Sequence, residues 1–312
     1  MKNHILTVIL LILFQQGSSQ ELNYVEEDLK ITQAIEGTLT IPKLEETESL
    51  VIFIQGSGPT DRNGNQPMMK NDGMKKIAHQ LAKNGIASFR FDKRIFKMTE
   101  LKIKEEDLRF DDFVNDVKDI LKYFEEKDQF DNLLVAGHSQ GSLVGILASE
   151  EMADGFISLA GAGQPIDNII VEQIHKMAPP LAENARTAFD EIRETGSTTN
   201  YSPMLESIFK PTIQQFMESW MKYDPVEEIT KLDIPVLIIN GSADIQVETE
   251  EAEALKIASE EAKLVIIDNM NHIFRKIESE DRLKNTKSYN EPNLPLHPEL
   301  IPVLTEFIKE LE

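Results

Sequence analysis

Short apolar runs alternate with helical segments along most of this chain of 312 residues, and this alternation restricts the possible folds more than any other feature of the sequence. A short, continuous apolar run is typical of a strand buried on both faces of a sheet. Strands are predicted at residues 50–55, 86–91, 133–136, 156–160, 235–240 and 263–267. Helices are predicted at residues 74–83, 108–124, 141–152 and 302–311. This order predicts an α/β protein with a mostly parallel sheet, flanked by helices and joined by right-handed crossovers.

Three segments depart from the alternation. Residues 31–41 alternate apolar and polar side chains, which predicts an antiparallel strand. Residues 164–230 have a helical pattern without a strand and contain the only Trp, Trp220. We interpret them as a helical cap; the alternative is a set of packing helices with no role at a site. The Met and Phe residues of this segment are expected to be core more often than substrate pocket. Residues 288–298 predict an irregular loop.

The charge of the chain restricts its partners. The sequence has 54 acidic and 32 basic side chains, for a formal net charge of −22. This excess argues against a basic surface that follows a phosphate backbone, so nucleic acid is not expected as a partner. It also argues against attachment to anionic lipid through Lys and Arg. The absence of Cys excludes disulfides, thiolate-bound metals and a Cys nucleophile.

The first twenty residues differ in composition from the rest. Lys2 is the only charged residue before Glu21, and the apolar run Ile5–Phe14 is followed by small and polar residues. This order predicts a signal peptide over residues 1–19, and therefore export to the periplasm or the extracellular space. The alternative is a buried N-terminal helix. The apolar run is too short to cross a bilayer comfortably, and a lipoprotein anchor would need a Cys, so no stable membrane anchor is expected.

Residues 137–141 read Gly-His-Ser-Gln-Gly and fit the pattern G-x-S-x-G between a predicted strand and a predicted helix. A nucleophile at such a sharp turn stands clear of its neighbours, and the flanking glycines leave room where a Cβ would clash with backbone. The dipole of the following helix favours negative charge at its N terminus. Ser139 is therefore the predicted nucleophile.

A serine hydroxyl needs a general base, and histidine is the expected one. His272 follows the strand at residues 263–267, at the carboxyl edge where open α/β sheets place their active sites. We therefore predict that His272 is the base. His138 is next to Ser139 in sequence but is expected to point elsewhere. The other histidines of the chain after the signal peptide lie in an early helix, in the cap and in the Pro-rich loop: His79, His175 and His297.

The acid that orients the base is predicted from chain order, in which it falls between serine and histidine. Asp244 follows the strand at residues 235–240 and so lies at the same sheet edge. Its carboxylate would hold the imidazole tautomer and stabilise the imidazolium. Asp167, after the preceding strand, is the alternative acid. Asp268 is closer to His272 in sequence, but we expect it to act as a loop turn or cap.

Two backbone N–H groups are predicted to stabilise the oxyanion of the transition state. One belongs to Gln140, the residue after the nucleophile. The other is expected in the glycine-rich loop after the strand at 50–55, where we choose the N–H of Ser57 and keep that of Gly56 as the alternative. Glycine lets backbone approach a ligand closely, although a plain turn would have the same composition.

Several motifs resemble those of a known family. The chain resembles the α/β-hydrolase fold over about residues 30–312, and within it the exported bacterial serine esterases that carry G-S-G-P-T-D-R-x-G-N after the first long strand. The matching segments are GSGPTDRNGN at 56–65, RFDKR at 90–94, GHSQG at 137–141, LAGAG at 159–163, GSAD at 241–244 followed by QV, and NMNH at 269–272. This implies one α/β-hydrolase domain over residues 20–312, with the cap inserted at about 164–230.

The resemblance also implies an activity. It implies hydrolysis of carboxylic esters of small molecules through an acyl-enzyme, with no metal and no organic cofactor. Gly56, Gly58 and Arg62 are the expected substrate-binding residues, although Arg62 could instead pair with an acid. Relatives have a small Gly- and Ser-rich turn after Arg94, whereas this chain has residues 95–98 (IFKM), so the acyl or alcohol pocket is expected to differ.

Other interpretations are weaker. A serine peptidase or an acyltransferase could use the same residues, and a binding protein could keep the fold without catalysis. The spacing of acids in the segment from Asp61 to Asp72 faintly suggests a calcium loop, but Gln66 stands where the obligatory glycine belongs. The loop at 56–58 lacks the third glycine of a dinucleotide fingerprint. The charged residues 92–94 are expected to form a salt-bridged loop.

Overall fold

The computed structural model describes residues 23–43, 47–279 and 281–312. The predicted signal peptide, residues 1–19, lies outside the described residues. Within these ranges, no helix is both long and apolar enough to cross a membrane.

Eight strands form one sheet. They are β1 (Tyr24–Lys30), β2 (Glu36–Pro42), β3 (Ser49–Ile54), β4 (Ala87–Phe91), β5 (Asn132–His138), β6 (Gly155–Leu159), β7 (Val236–Gly241) and β8 (Lys263–Ile267). Their order across the sheet is β1-β2-β4-β3-β5-β6-β7-β8. Strand β2 is antiparallel to both β1 and β4, and all pairs from β4 to β8 are parallel. The predicted α/β fold with a mostly parallel sheet is confirmed.

The first hairpin differs from the prediction. The single strand expected at residues 31–41 is in fact a turn followed by β2, and β1 precedes it as the edge strand. In the turn, Thr32 Oγ1 accepts the backbone N–H groups of Ala34 and Ile35, each at 3.1 Å. Strand β1 was missed because most of its side chains are exposed, so it carries no apolar run.

Helices cover both faces of the sheet. They are α1 (Gly73–Lys83), α2 (Met98–Leu101), α3 (Phe110–Lys127), α4 (Gln140–Ser149), α5 (Ile166–Met177), α6 (Ala182–Thr195), α7 (Glu206–Phe209), α8 (Pro211–Met221), α9 (Pro225–Ile229), α10 (Thr249–Ala258), α11 (Arg282–Ser288) and α12 (Leu300–Lys309). Alternate residues of β3 pack into two separate cores: Ile52 and Ile54 on the face of α3 and α4, Val51 and Phe53 on the face of α1 and α12. Burial on both faces explains why this strand is a continuous apolar run after Ser49, as the sequence indicated.

Helices α5 to α9 occupy the interval between β6 and β7, where the cap was predicted. They contact the sheet domain through α8 and α3. The rings of Phe110 and Trp220 stack at 5.3 Å, and the backbone N–H of Phe110 donates to Ser219 Oγ at 2.8 Å. Phe189 and Phe209 form an edge-to-face pair at 4.7 Å inside the cap. These contacts hold the cap helices beside the carboxyl edge of the sheet.

Candidate active site

Ser139 occupies a strained turn between β5 and α4. Its backbone has φ 54° and ψ −121°, and its N–H donates to the carbonyl of Leu159 at 2.9 Å. A Cβ on Gly137 would lie 2.1 Å from the carbonyl oxygen of Gly141, and a Cβ on Gly141 would lie 2.5 Å from that of Ile54. Both glycines are therefore required, because a side chain at either position would collide with backbone that cannot yield easily.

His272 and Asp244 form a buried pair at the ends of β8 and β7. His272 Nδ1 donates to Asp244 Oδ2 at 2.7 Å, and the histidine is 4% exposed. The other carboxylate oxygen, Oδ1, accepts the backbone N–H groups of Gln246 at 2.8 Å and Val247 at 3.0 Å. Because Nδ1 carries the hydrogen of this bond, Nε2 is left as the basic nitrogen of the neutral ring.

The nucleophile and the base predicted from the sequence meet at one cavity. Ser139 and His272 both line a cavity of about 360 Å³, with no direct hydrogen bond between their side chains. Such bonds are often long in ligand-free enzymes and tighten when substrate binds.

The two other candidate acids are engaged elsewhere. Asp167 lies at the start of the cap and accepts hydrogen bonds from Arg186 at 2.6 Å and Arg193 at 2.7 Å. Asp268 accepts a hydrogen bond from Ser242 Oγ at 3.0 Å. Neither contacts His272, so Asp244 is the acid that the tertiary structure brings to the histidine.

His138 supports the loop of His272, a contact that the sequence did not predict. Its Nε2–H donates to the backbone carbonyl of His272 at 2.9 Å, and the two rings lie 4.6 Å apart. Burial, together with the nearby His272, lowers the pKa of His138 to about 3. His138 is therefore neutral near pH 7, and its ring packs between the turn at Ser139 and the ring of His272.

Backbone N–H groups without an acceptor lie beside Ser139. The loop after β3 passes so close that a Cβ on Gly56 would lie 3.3 Å from Ser139 Cβ. The N–H groups of Ser57 and Gln140 have no acceptor within residues 23–43, 47–279 and 281–312, and neither has that of Gly56, so Gly56 stays the alternative to Ser57. Ser57, Gln140 and Ser139 line the same cavity. Free N–H groups beside a nucleophile, one of them at a helix N terminus, suit an oxyanion.

The carbonyl groups of this loop are held in place. The carbonyl oxygen of Ser57 accepts hydrogen bonds from Gln66 Nε2 at 2.9 Å and Thr60 Oγ1 at 3.0 Å. That of Gly56 accepts one from Lys93 Nζ at 2.9 Å. Gly58 has φ +75°, which glycine adopts without strain. Gly58 also lines both cavities at Ser139.

The prediction for residues 92–94 is right for the two outer residues and wrong for the middle one. Arg62 binds Asp92 at 2.7 Å, and Arg94 binds Asp116 at 2.6 Å. Lys93, by contrast, is buried without a carboxylate partner within the described ranges, because its side chain turns inward beneath the loop of Gly56.

Arg62 is not brought to the site. Besides Asp92, its guanidinium binds Asp28 at 3.1 Å, and it lines neither cavity at Ser139. Arg62 therefore pairs with acids, which is the alternative given above, and its expected contact with substrate stays a prediction. Asp61 turns the same loop by accepting the N–H groups of Asn63 at 2.8 Å and Asn65 at 2.9 Å.

A second, larger cavity of about 590 Å³ lies between the cap and the sheet domain, and Ser139 is one of its lining residues. Its walls are mostly apolar. The cap contributes residues of α5 and α8, including Ile170, Ile213, Phe216, Met217 and Trp220. Ile95 and Met98, from the segment at residues 95–98, also line this cavity. Some cap aromatics therefore line a pocket, whereas others, such as Phe189, are core.

Comparisons with known proteins agree with this architecture. A family model described as Hydrolase_4, serine aminopeptidase S33, matches residues 71–276, about two thirds of the chain. Esterase EstD of Thermotoga maritima is 26% identical over 260 residues, which are 80% of this chain and 60% of EstD. The chain thus spans only about three fifths of the length of that relative.

Solved structures share the fold at low sequence identity. Est1E from Butyrivibrio proteoclasticus superposes with a TM-score of 0.58 at 18% identity, over 92% of this chain and 98% of Est1E. The esterase Pf2001 of Pyrococcus furiosus has a TM-score of 0.55 at 14% identity, over 93% of this chain and 91% of Pf2001. The sheet order, the turn at Ser139 and the family match together place the chain in the serine aminopeptidase S33 (Hydrolase_4) family, with the α/β-hydrolase fold.

Proposed function

We propose that this chain is a serine ester hydrolase that cleaves carboxylic esters of small molecules. The observation that carries the proposal is the 2.7 Å bond between His272 Nδ1 and Asp244 Oδ2, at a cavity that His272 shares with Ser139. The pair orients a basic nitrogen toward the cavity of the nucleophile. The resemblance to bacterial serine esterases and the similarity to esterase EstD support the same class.

Each group has a role in the proposed reaction. Ser139 Oγ attacks the acyl carbon while His272 Nε2 takes its proton, and Asp244 stabilises the imidazolium. The N–H groups of Ser57 and Gln140 bind the oxyanion. The tetrahedral intermediate collapses, His272 returns the proton to the leaving alcohol, and an acyl-enzyme remains. Water then gives a proton to His272 and attacks the acyl carbon, which releases the acid and restores Ser139.

The charges around the cavities favour esters over aminopeptidase substrates, despite the family description. An aminopeptidase needs a carboxylate to bind the substrate ammonium group. Within the described ranges, Glu105 is the only carboxylate that lines either cavity at Ser139. Its two oxygens are bound by Lys210 at 2.7 Å and Thr212 at 2.5 Å. An uncharged acyl group therefore fits these surroundings better than an aminoacyl group.

The apolar cavity predicts a preference for longer acyl chains. For nitrophenyl esters of increasing length, kcat/KM is expected to rise by up to about fourfold for each methylene that enters the cavity, until it is full. Aminoacyl nitroanilides of similar size are expected to be poor substrates. Steady-state rates over both series test the proposal. Faster cleavage of the aminoacyl amides would indicate a peptidase instead.

A matched pair of variants locates the acyl group. Ile213→Trp adds bulk to the wall of the 590 Å³ cavity, and should move the preferred chain to a shorter length. Ile257→Trp makes the same change on the exposed side of α10, where Ile257 is 78% exposed, and should leave the preference unchanged. An unchanged length profile for Ile213→Trp would place the acyl group outside this cavity.

We further propose that the protein is exported, on the basis of the basic start and the short apolar run of residues 1–19. The exported form should begin near residue 20, which intact-mass measurement can check. Leu10→Arg interrupts the apolar run and should retain the uncleaved chain in the cell. Export of a chain that still carries residues 1–19 would contradict the assignment of a cleaved signal.

A further inference from the structure

Lys93 has an unusual environment. It follows β4 and is 4% exposed. Its ammonium group donates to the carbonyl oxygen of Gly56 at 2.9 Å and to Gln140 Oε1 at 2.8 Å, and lies 4.6 Å from the ring centre of Phe113. Two neutral acceptors and an aromatic face therefore replace the carboxylate that usually accompanies a buried ammonium group.

The two hydrogen bonds connect Lys93 to the two residues proposed as oxyanion donors. The carbonyl of Gly56 belongs to the same peptide group as the N–H of Ser57. Gln140, whose side chain accepts the second bond, supplies the other free N–H. One buried cation thus contacts both halves of the proposed oxyanion hole, although Lys93 lies 37 residues from Gly56 and 47 from Gln140.

We propose that Lys93 is a positioning residue that orients and polarises the oxyanion hole formed by Ser57 and Gln140. An ammonium bound to a peptide carbonyl withdraws electron density from it, so the N–H of the same peptide becomes a better donor. The bond to Gln140 fixes the first residue of α4. This inference rests on the proposed ester hydrolysis, because only an oxyanion makes use of the two donors.

The charge on Lys93 is expected to change within the working pH range. Burial lowers the pKa of its ammonium group to about 7. The surrounding ionised groups are occupied by other partners: Asp116 by Arg94, Asp92 by Arg62 and Glu105 by Lys210. His138, on the other side of the Gly56 loop, is neutral. No neighbouring charge therefore substitutes for Lys93 when it loses its proton.

The direction of the pH effect follows from the lowered pKa. Lys93 is charged below about pH 7 and becomes neutral as the pH rises through that value. A neutral amine still donates hydrogen bonds, but weaker ones. The kcat of the unmodified enzyme should therefore decline to a lower plateau as the pH rises through about 7.

Lys93→Met tests the proposal. It keeps the length of the side chain but removes the charge and the donors. At pH 6.5 we expect kcat for a nitrophenyl ester to fall by about tenfold, with KM changed by less than about threefold, since the interaction acts mainly in the transition state. The alkaline decline should also be absent from this variant. A residue that only supported the fold would not alter the shape of the pH profile.

Controls separate this result from loss of folding. Lys118→Met makes the same substitution at an exposed position of α3 and should match the parent. Titration of active sites with a fluorophosphonate corrects kcat for the competent fraction. A parent without an alkaline decline, or a Lys93→Met variant with parental kcat and pH profile, would overturn the role of Lys93 while leaving ester hydrolysis intact. A parent that neither hydrolyses esters nor reacts with the probe would instead overturn the proposed function.

Discussion

Ser139→Ala is expected to lower kcat/KM for a nitrophenyl ester by on the order of 10⁵-fold, because it removes the atom that forms the acyl-enzyme. The strained backbone at φ 54° should persist, since Ala has the same Cβ and the N–H bond to Leu159 is kept. Stability should therefore change little. Ester kinetics and fluorophosphonate labelling, followed by mass spectrometry of the labelled peptide, measure the effect.

Ser57→Ala is the matched control for that variant. The side chain of Ser57 is exposed, and the role proposed for this residue uses its backbone N–H. We expect activity within about threefold of the parent, because the donor remains in place. Equal labelling of Ser139→Ala and the parent would show that the nucleophile is a different residue.

Asp244→Asn is expected to lower kcat by on the order of 10³- to 10⁴-fold, with little change in overall fold. An amide in place of the carboxylate cannot stabilise the imidazolium, and its NH₂ group would favour the wrong tautomer of His272. The backbone donors of Gln246 and Val247 can still bind the amide oxygen, so the loop should keep its shape. Pre-steady-state acylation rates measure the step that is affected.

The corresponding change at the other candidate acid is the control. Asp167→Asn weakens ion pairs with Arg186 and Arg193 inside the cap, and should lower the melting temperature while leaving kcat within about threefold. If Asp167→Asn reduced kcat more than Asp244→Asn, the acid of the site would have been assigned to the wrong strand.

Much of the fold was predictable because its signals are local. Strand β3 is apolar and buried from residue 50 to residue 54, and α1 ends at Asn84 and Gly85, where Gly85 has φ +83°. The two glycines beside Ser139 are likewise required, because a Cβ at either position would clash with backbone atoms a few residues away or on the adjacent strand. Strand β1 was not predictable, because an exposed edge strand is held by pairing with β2 and not by burial of its own side chains.

The pairing of His272 with Asp244 was predicted from the order of the strands, since the carboxyl ends of parallel strands share one edge. The same argument left Asp167 open as the alternative acid, because both residues follow strands of that edge. The cap made the difference. Its helix α6 supplies Arg186 and Arg193, which bind Asp167, whereas Asp244 binds His272.

The amino-acid sequence was sufficient to indicate the fold class, the nucleophile and its base. The spacing of apolar residues and the five-residue motif around the nucleophile are local signals, so they can be recognised without knowledge of distant contacts. The functions of Lys93, His138 and Arg62 were decided by tertiary structure alone. Each of these side chains binds a partner at least 30 residues away in the sequence. The folded chain decides which partner lies within reach, and that partner sets the direction of the side chain. Lys93 was expected in a salt-bridged loop, yet the fold buries it against the carbonyl of Gly56, whereas Asp92 and Asp116 are bound by Arg62 and Arg94.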